Sequence, residues 1–118
     1  MVARIRALIR RVPSQRPAVL QVGDLRLDPG ARIALRGDCV LNLTAREMAL
    51  FEFLLRRAGD VVSKTEIIDH VWDSEYDGPF NIVEVYIRHL RNKVDRPFGR
   101  VAIQTVRGAG YRLALDGG

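Results

Sequence analysis

The chain has 118 residues, 47% of them apolar, and a formal net charge of +5. It is long enough to bury one core and too apolar to stay disordered; no apolar run approaches the ~18 residues that span a bilayer, and no signal-peptide pattern appears. Residues 1–23 hold five arginines and no acid, residues 24–78 carry 7 basic and 11 acidic side chains, and residues 79–115 carry 7 basic and 2 acidic, so the body of the chain is neutral with one positive end, the electrostatic footprint of a polyanion partner.

Residues 1–12 read as a short basic amphipathic helix, with Val2, Ile5, Leu8 and Ile9 on one side and arginines on the other. Alone it is too short to be stable, and it is expected to be the tail of a separate domain. Pro13 to Pro17 break it into a linker. The chain therefore divides into a segment 1–18 and a domain 19–118. Residues 19–43 alternate at period two, with turn signals at Asp28-Pro-Gly30 and Arg36-Gly-Asp38, which predicts an antiparallel meander of three or four strands. Cys39 is the single cysteine; lying in an alternating apolar segment, it is expected to be a packed or half-buried thiol in a reducing compartment.

Thr44-Ala-Arg-Glu47 is a capping box, predicting a helix to about Ala58 that Gly59 ends, with Met48, Leu50, Phe51, Leu54, Leu55 and Ala58 on its core face. Val61-Val62 is a short extended bridge. Ser63-Lys-Thr-Glu66 is a second capping box, opening a helix through Ile67, Ile68, Val71 and Trp72. A loop at 73–79 carries three acids, Asp73, Glu75 and Asp77.

In the stretch 80–94, Val83, Ile87, Leu90 and Val94 recur at helical spacing and predict one buried stripe. The opposite face carries Asn81, Val85, Arg88, His89 and Asn92, with Arg91 and Lys93 on the flanks. Asp95-Arg-Pro97 stops this helix. Two alternating strands follow, Val101 to Val106 and Tyr111 to Leu115, joined by a glycine-rich turn that Arg107 enters. The order predicts an α+β fold of winged helix–turn–helix type: an amino-terminal antiparallel sheet of three to four strands, a three-helix core and a carboxy-terminal hairpin wing. In such a fold the last helix enters the major groove of DNA, and Arg107 on the wing reaches the minor groove.

Catalytic readings find no support in the pattern. His70 and His89 are the only histidines, and neither stands at metal or triad spacing with an acid. Gly108-Ala-Gly110 joins two strands and leads into no helix, unlike a phosphate-binding loop. A non-enzyme without cofactor or metal is expected, with His70 structural.

Four stretches in this order, Leu43-Thr-Ala-Arg-Glu47, Val71-Trp72, Val83-Glu-Val-Tyr-Ile-Arg-His-Leu-Arg-Asn-Lys-Val94 and Gln104-Thr-Val-Arg-Gly-Ala-Gly-Tyr111, resemble the OmpR/PhoB-type effector domain of bacterial response regulators over about residues 19–115. The resemblance implies phosphate contacts at Trp72, Asn81, Tyr86, Arg88, Arg91, Thr105 and Tyr111. It implies base contacts at Ile82, Val85 and His89, with Arg107 in the minor groove. Two features depart from the family pattern: His89 stands where arginine is common, and Asn81-Ile82 replaces a more polar start. By helical angle Tyr86 lies near the core stripe, so burial competes with phosphate contact there. The resemblance also implies a cytoplasmic, nucleoid-associated bacterial regulator. Its partners would be tandem direct-repeat promoter sites, a head-to-tail second copy, a receiver domain in cis whose last helix residues 1–12 resemble, and RNA polymerase through Asp73, Glu75 and Asp77. The competing readings are an ordinary solvated loop at 73–79, and a winged helix that docks proteins and touches DNA only non-specifically.

Overall fold

The computed structural model describes residues 19–72, 78–79 and 81–118. The expectations for segment 1–18 and for Asp73, Glu75 and Asp77 lie outside the described residues.

The amino-terminal meander has four strands, β1 (Leu20–Val22), β2 (Leu25–Asp28), β3 (Ile33–Arg36) and β4 (Cys39–Leu41), paired in chain order. Period-two alternation sorts its side chains: Leu25, Leu27, Ala34 and Leu41 are buried while Arg26 faces solvent. Cys39 departs from expectation and is exposed. It pairs with Arg36 at the turn end of β4, and an edge strand gives its first residue neighbours on one side only.

Helix α1 (Ala45–Arg56) begins with the expected capping box, Thr44 Oγ1 accepting from Glu47 N at 3.3 Å and Glu47 Oε1 accepting from Thr44 N at 2.9 Å. Leu50, Phe51, Leu54 and Leu55 are buried. The helix stops two residues short of Ala58, since residues 57–59 form a turn. Gly59, at φ 87°, turns the chain so that its N–H donates to Leu113 O at 2.9 Å. Val61–Val62 is more than a bridge: as β5 it pairs with the last strand and gives the wing a third strand.

Helix α2 (Lys64–Ile67) opens with the second capping box and continues as a π-helical turn, Ile68–Trp72, where a regular helix was expected. His70 has the structural role expected, stacking on Phe53 at 4.8 Å with Nδ1 2.9 Å from Glu66 O. Helix α3 (Asn81–Val94) buries Val83, Ile87, Leu90 and Val94, the stripe read from the sequence. A short 3₁₀ turn at Arg96–Phe98 leads to β6 (Ile103–Val106) and β7 (Gly110–Leu113), which pair from Ile103↔Leu113 to Val106↔Gly110 in a sheet of order β5-β7-β6. Three helices between a meander and a hairpin wing make a winged helix–turn–helix.

One polar network crosses this apolar core. Arg36 is 2% exposed, and its guanidinium donates to Val94 O at 2.7 Å, Asp24 Oδ1 at 2.6 Å and Asp95 Oδ1 at 3.0 Å, with its charge over the Phe98 ring. The Asp95 carboxylate also accepts from Ala102 N at 3.0 Å and Ile103 N at 3.1 Å. The meander, the carboxy-terminal end of α3 and the first wing strand thus share one buried ion pair.

Candidate nucleic-acid interface

Helix α3 presents its polar face because its apolar stripe is fully used by the core. Asn81, Arg88, His89 and Asn92 are exposed, and Ile82, Val85, Tyr86, Arg91 and Lys93 are half-buried. Ile82 and Tyr86 pack against the core with part of their surface. Tyr86 makes an edge-on contact with Trp72 at 5.2 Å and a tilted one with His89 at 5.8 Å. Trp72 in turn lies under the Arg46 guanidinium, 5.2 Å from its centroid, and Arg46 also donates to Val71 O. Trp72, Tyr86 and His89 therefore form a continuous aromatic shelf from the end of the π turn to the middle of α3.

The cations on α3 differ in how they are held. Arg88 has no side-chain partner among the described residues. Arg91 donates through Nε to Ile103 O at 3.0 Å and through a terminal nitrogen to Thr105 Oγ1 at 2.7 Å, lying over the Tyr111 ring. These acceptors are neutral, so Arg91 joins α3 to the wing without a counter-ion among the described residues. Lys93 is paired with Glu47 Oε1 at 2.7 Å. The Glu47 carboxylate is nearly buried, with Oε2 4.0 Å from His89 Nδ1. Burial pushes its pKa up, but the bonds from Lys93 and the Thr44 backbone, together with the Lys93 charge, outweigh that and hold it below the usual carboxylate value.

The wing puts Arg107 exposed at its turn, without a side-chain partner among the described residues. Gly110 closes the turn at φ 143°, and a Cβ there would stand 2.0 Å from Val62 O, so only glycine fits between β7 and β5. Between the wing and the helices lies a cleft of about 500 Å³ lined by Lys64, Glu84 and residues 105–111. Lys64 and Glu84 pair across it at 3.1 Å. Tyr111 is 5% exposed. Burial first, with Glu84 adding, raises its phenol pKa against the opposing charges of Lys64 and Arg91, so the hydroxyl stays a neutral donor.

The structure thus brings together most of the residues singled out by resemblance. Trp72, Tyr86 and His89 share the shelf, Arg91, Thr105 and Tyr111 share the corner between α3 and the wing, and Arg88 and Arg107 have no side-chain partner among the described residues. Asn81, Ile82 and Val85 occupy the amino-terminal half of α3. Sequence reading missed Arg46 and the tie between Glu47 and Lys93. Glu47 was visible only as a capping residue, and nothing local signals a partner 46 positions away.

Comparison with known proteins agrees with this geometry. Residues 38–113 match the family model described as "Transcriptional regulatory protein, C terminal". The transcriptional regulatory protein TcrA of Mycobacterium tuberculosis is 50% identical over 116 residues, which is 98% of this chain and 46% of TcrA. The chain spans about half the length of the relatives it matches. Among solved structures, the DNA-binding domain of Escherichia coli CpxR superposes with a TM-score of 0.71 at 32% identity, over 83% of this chain and 97% of that one. The Klebsiella pneumoniae RstA DNA-binding domain, solved in complex with its RstA box, gives 0.72 at 28% identity over 81% and 96%. Among the described residues no helix is long and apolar enough to cross a membrane. With the meander, the three helices, the wing and the four sequence stretches all in place, this chain belongs to the family of C-terminal domains of transcriptional regulatory proteins, of the OmpR/PhoB response-regulator type.

Proposed function

We propose that this domain is the output half of a two-component transcriptional regulator and binds double-stranded DNA sequence-specifically. The observation that carries the reading is α3 itself: a helix locked by its apolar stripe that turns Arg88 and His89 to solvent beside a wing carrying Arg107. In this reading α3 lies in the major groove, where Ile82, Val85 and His89 meet base edges. Arg107 enters the adjoining minor groove. Trp72, Asn81, Tyr86, Arg88, Arg91, Thr105 and Tyr111 contact phosphates and set the register. A neutral imidazole or imidazolium at position 89 cannot make the two-pronged contact an arginine makes with guanine, so the base preference at that step differs from that of arginine-bearing relatives.

The relatives are about twice as long as this chain, which supports a receiver domain in cis, with residues 1–18 as the end of its last helix and a linker. Phosphorylation of that receiver would drive head-to-tail pairing on direct repeats, and the isolated domain would be a weak monomer. The acids Asp73, Glu75 and Asp77 fit RNA polymerase better than DNA, because they would repel phosphate.

Selection of bound duplexes from a random library at near-physiological salt tests the reading. A short motif, repeated directly about one helical turn apart, is the expected result. Binding without a motif, vanishing as salt rises, would reject specific readout and leave a protein-docking module held to DNA by charge alone.

A further inference from the structure

The face of α3 that DNA would meet contains an acid beneath it. Glu47 belongs to α1, yet its nearly buried carboxylate reaches Lys93 at 2.7 Å and lies within ion-pair range of His89, while its first oxygen also closes the capping box at Thr44 N. Lys93 follows His89 by four residues, so the two share one side of the helix one turn apart. A cation there stands beside the proposed base-reading histidine and within reach of the flanking phosphates. The bond to Glu47 is charge-assisted and short, and the acid has little water to turn to if it is broken. Arg88, in contrast, is unpaired among the described residues, and Arg91 is held by neutral oxygens only.

We propose that Glu47 is a specificity-determining residue, acting by withdrawing Lys93 from the cations that neutralise phosphate. The proposal rests on the DNA-binding reading above. Non-specific affinity grows with each phosphate neutralised, whereas base contacts do not. A tied lysine therefore lowers sequence-independent binding and leaves the contacts of Ile82, Val85 and His89 in place, so the ratio of specific to non-specific affinity rises. The 4.0 Å gap to His89 is too long for a hydrogen bond, which leaves the imidazole available to a base while Lys93 is not.

Glu47→Gln tests this directly, because glutamine keeps the capping box and removes the charge. The full 118-residue chain is titrated against a fluorescent 20-base-pair duplex of random sequence at several KCl concentrations, with thermal unfolding recorded for each variant. E47Q should tighten random-duplex binding about threefold to tenfold near 0.1 M salt and steepen the salt slope by about one unit, the signature of one more phosphate contact. K93M alone should change wild-type affinity less than twofold, and E47Q/K93M should return close to wild type. A folded E47Q that binds random duplex no tighter, with the slope unchanged, overturns the proposal. So does a K93M that weakens wild-type binding as much as the loss of an engaged phosphate contact. Should E47Q not fold, the K93M arm still decides. A wild-type chain that binds no duplex at any salt would instead reject the DNA-binding reading itself, which separates the two failures.

Discussion

The two ends of α3 are built in opposite ways. At the carboxy-terminal end, Val94 O and the Asp95 carboxylate are gripped by Arg36 from the meander and by two backbone amides of the wing. From the helix's start to just past its middle, Asn81, Ile82, Val85, Arg88 and His89 are held by the stripe beneath them and by aromatic contacts, and among the described residues none of the five has an ion pair closer than His89 at 4.0 Å. On the proposed DNA-binding reading, the difference assigns position and readout to separate parts of one helix. Buried polar anchoring is concentrated at the carboxy-terminal end, and the five residues proposed to meet DNA are left without it among the described residues.

The largest test of that contrast is Asp95→Ala. It leaves a buried guanidinium without its buried counter-charge and two amides without acceptors, and should cost about 3–5 kcal/mol, read from urea unfolding. Exposed Arg88→Ala should stay within about 0.5 kcal/mol in the same assay; equal losses at the two sites would erase the contrast. Next, Gly110→Ala forces a Cβ against Val62 O and should cost at least about 1–3 kcal/mol in thermal unfolding. On DNA the order inverts. His89→Ala should change discrimination between sequences by about 1–3 kcal/mol, and Arg88→Ala should weaken all duplexes alike and reduce the salt slope by about one. Measuring both on selected and scrambled duplexes distinguishes reading from positioning.

The smallest effect concerns acid. The Glu47 carboxyl is held below its ordinary value in the folded state, so folding is favoured by its ionised form. That stabilisation is complete above the unfolded value of about 4.3 and is lost as pH falls through the folded one. The unfolding midpoint of the wild-type chain should drop across that window, and Glu47→Gln should show a shallower drop there. An unchanged acid limb in the variant would mean that other carboxylates govern it.

Much of this fold was legible in the chain. Val83, Ile87, Leu90 and Val94 announce their stripe because a helix repeats at short range, and Thr44 with Glu47 and Ser63 with Glu66 announce helix starts because capping is local. Three features were not legible. The π turn at Ile68–Trp72 arises inside a segment whose apolar spacing suits an ordinary helix. The exposure of Cys39 depends on its place at the end of an edge strand, which alternation alone does not reveal. Arg36 read as part of a turn, and only folding brings it to Asp95, 59 positions away. The polar face of α3 and Arg107 at the wing's turn were legible from the pattern, and the remaining contact assignments came from resemblance. What the structure adds is the state of each one: Arg88 and Arg107 free among the described residues, Arg91 shared with the wing, and Tyr111 nearly covered.

The Asp95 carboxylate has a consequence for how this architecture tolerates insertions. Its residue ends α3 and its oxygens receive the amides of Ala102 and Ile103, so helix and wing are measured from one side chain instead of through the chain between them. Residues 96–101 join those two points and are themselves tied down, with Phe98 packed against the core beneath Arg36 and Arg100 reaching Asp24 and Gly118 O. A single residue added between Ile103 and Arg107 should break the register of β6 with β7 and shift the wing's tip relative to α3, with the Asp95 anchor left in place. One buried carboxylate thereby sets where the wing starts relative to the end of α3, and the register of helix and hairpin depends on it.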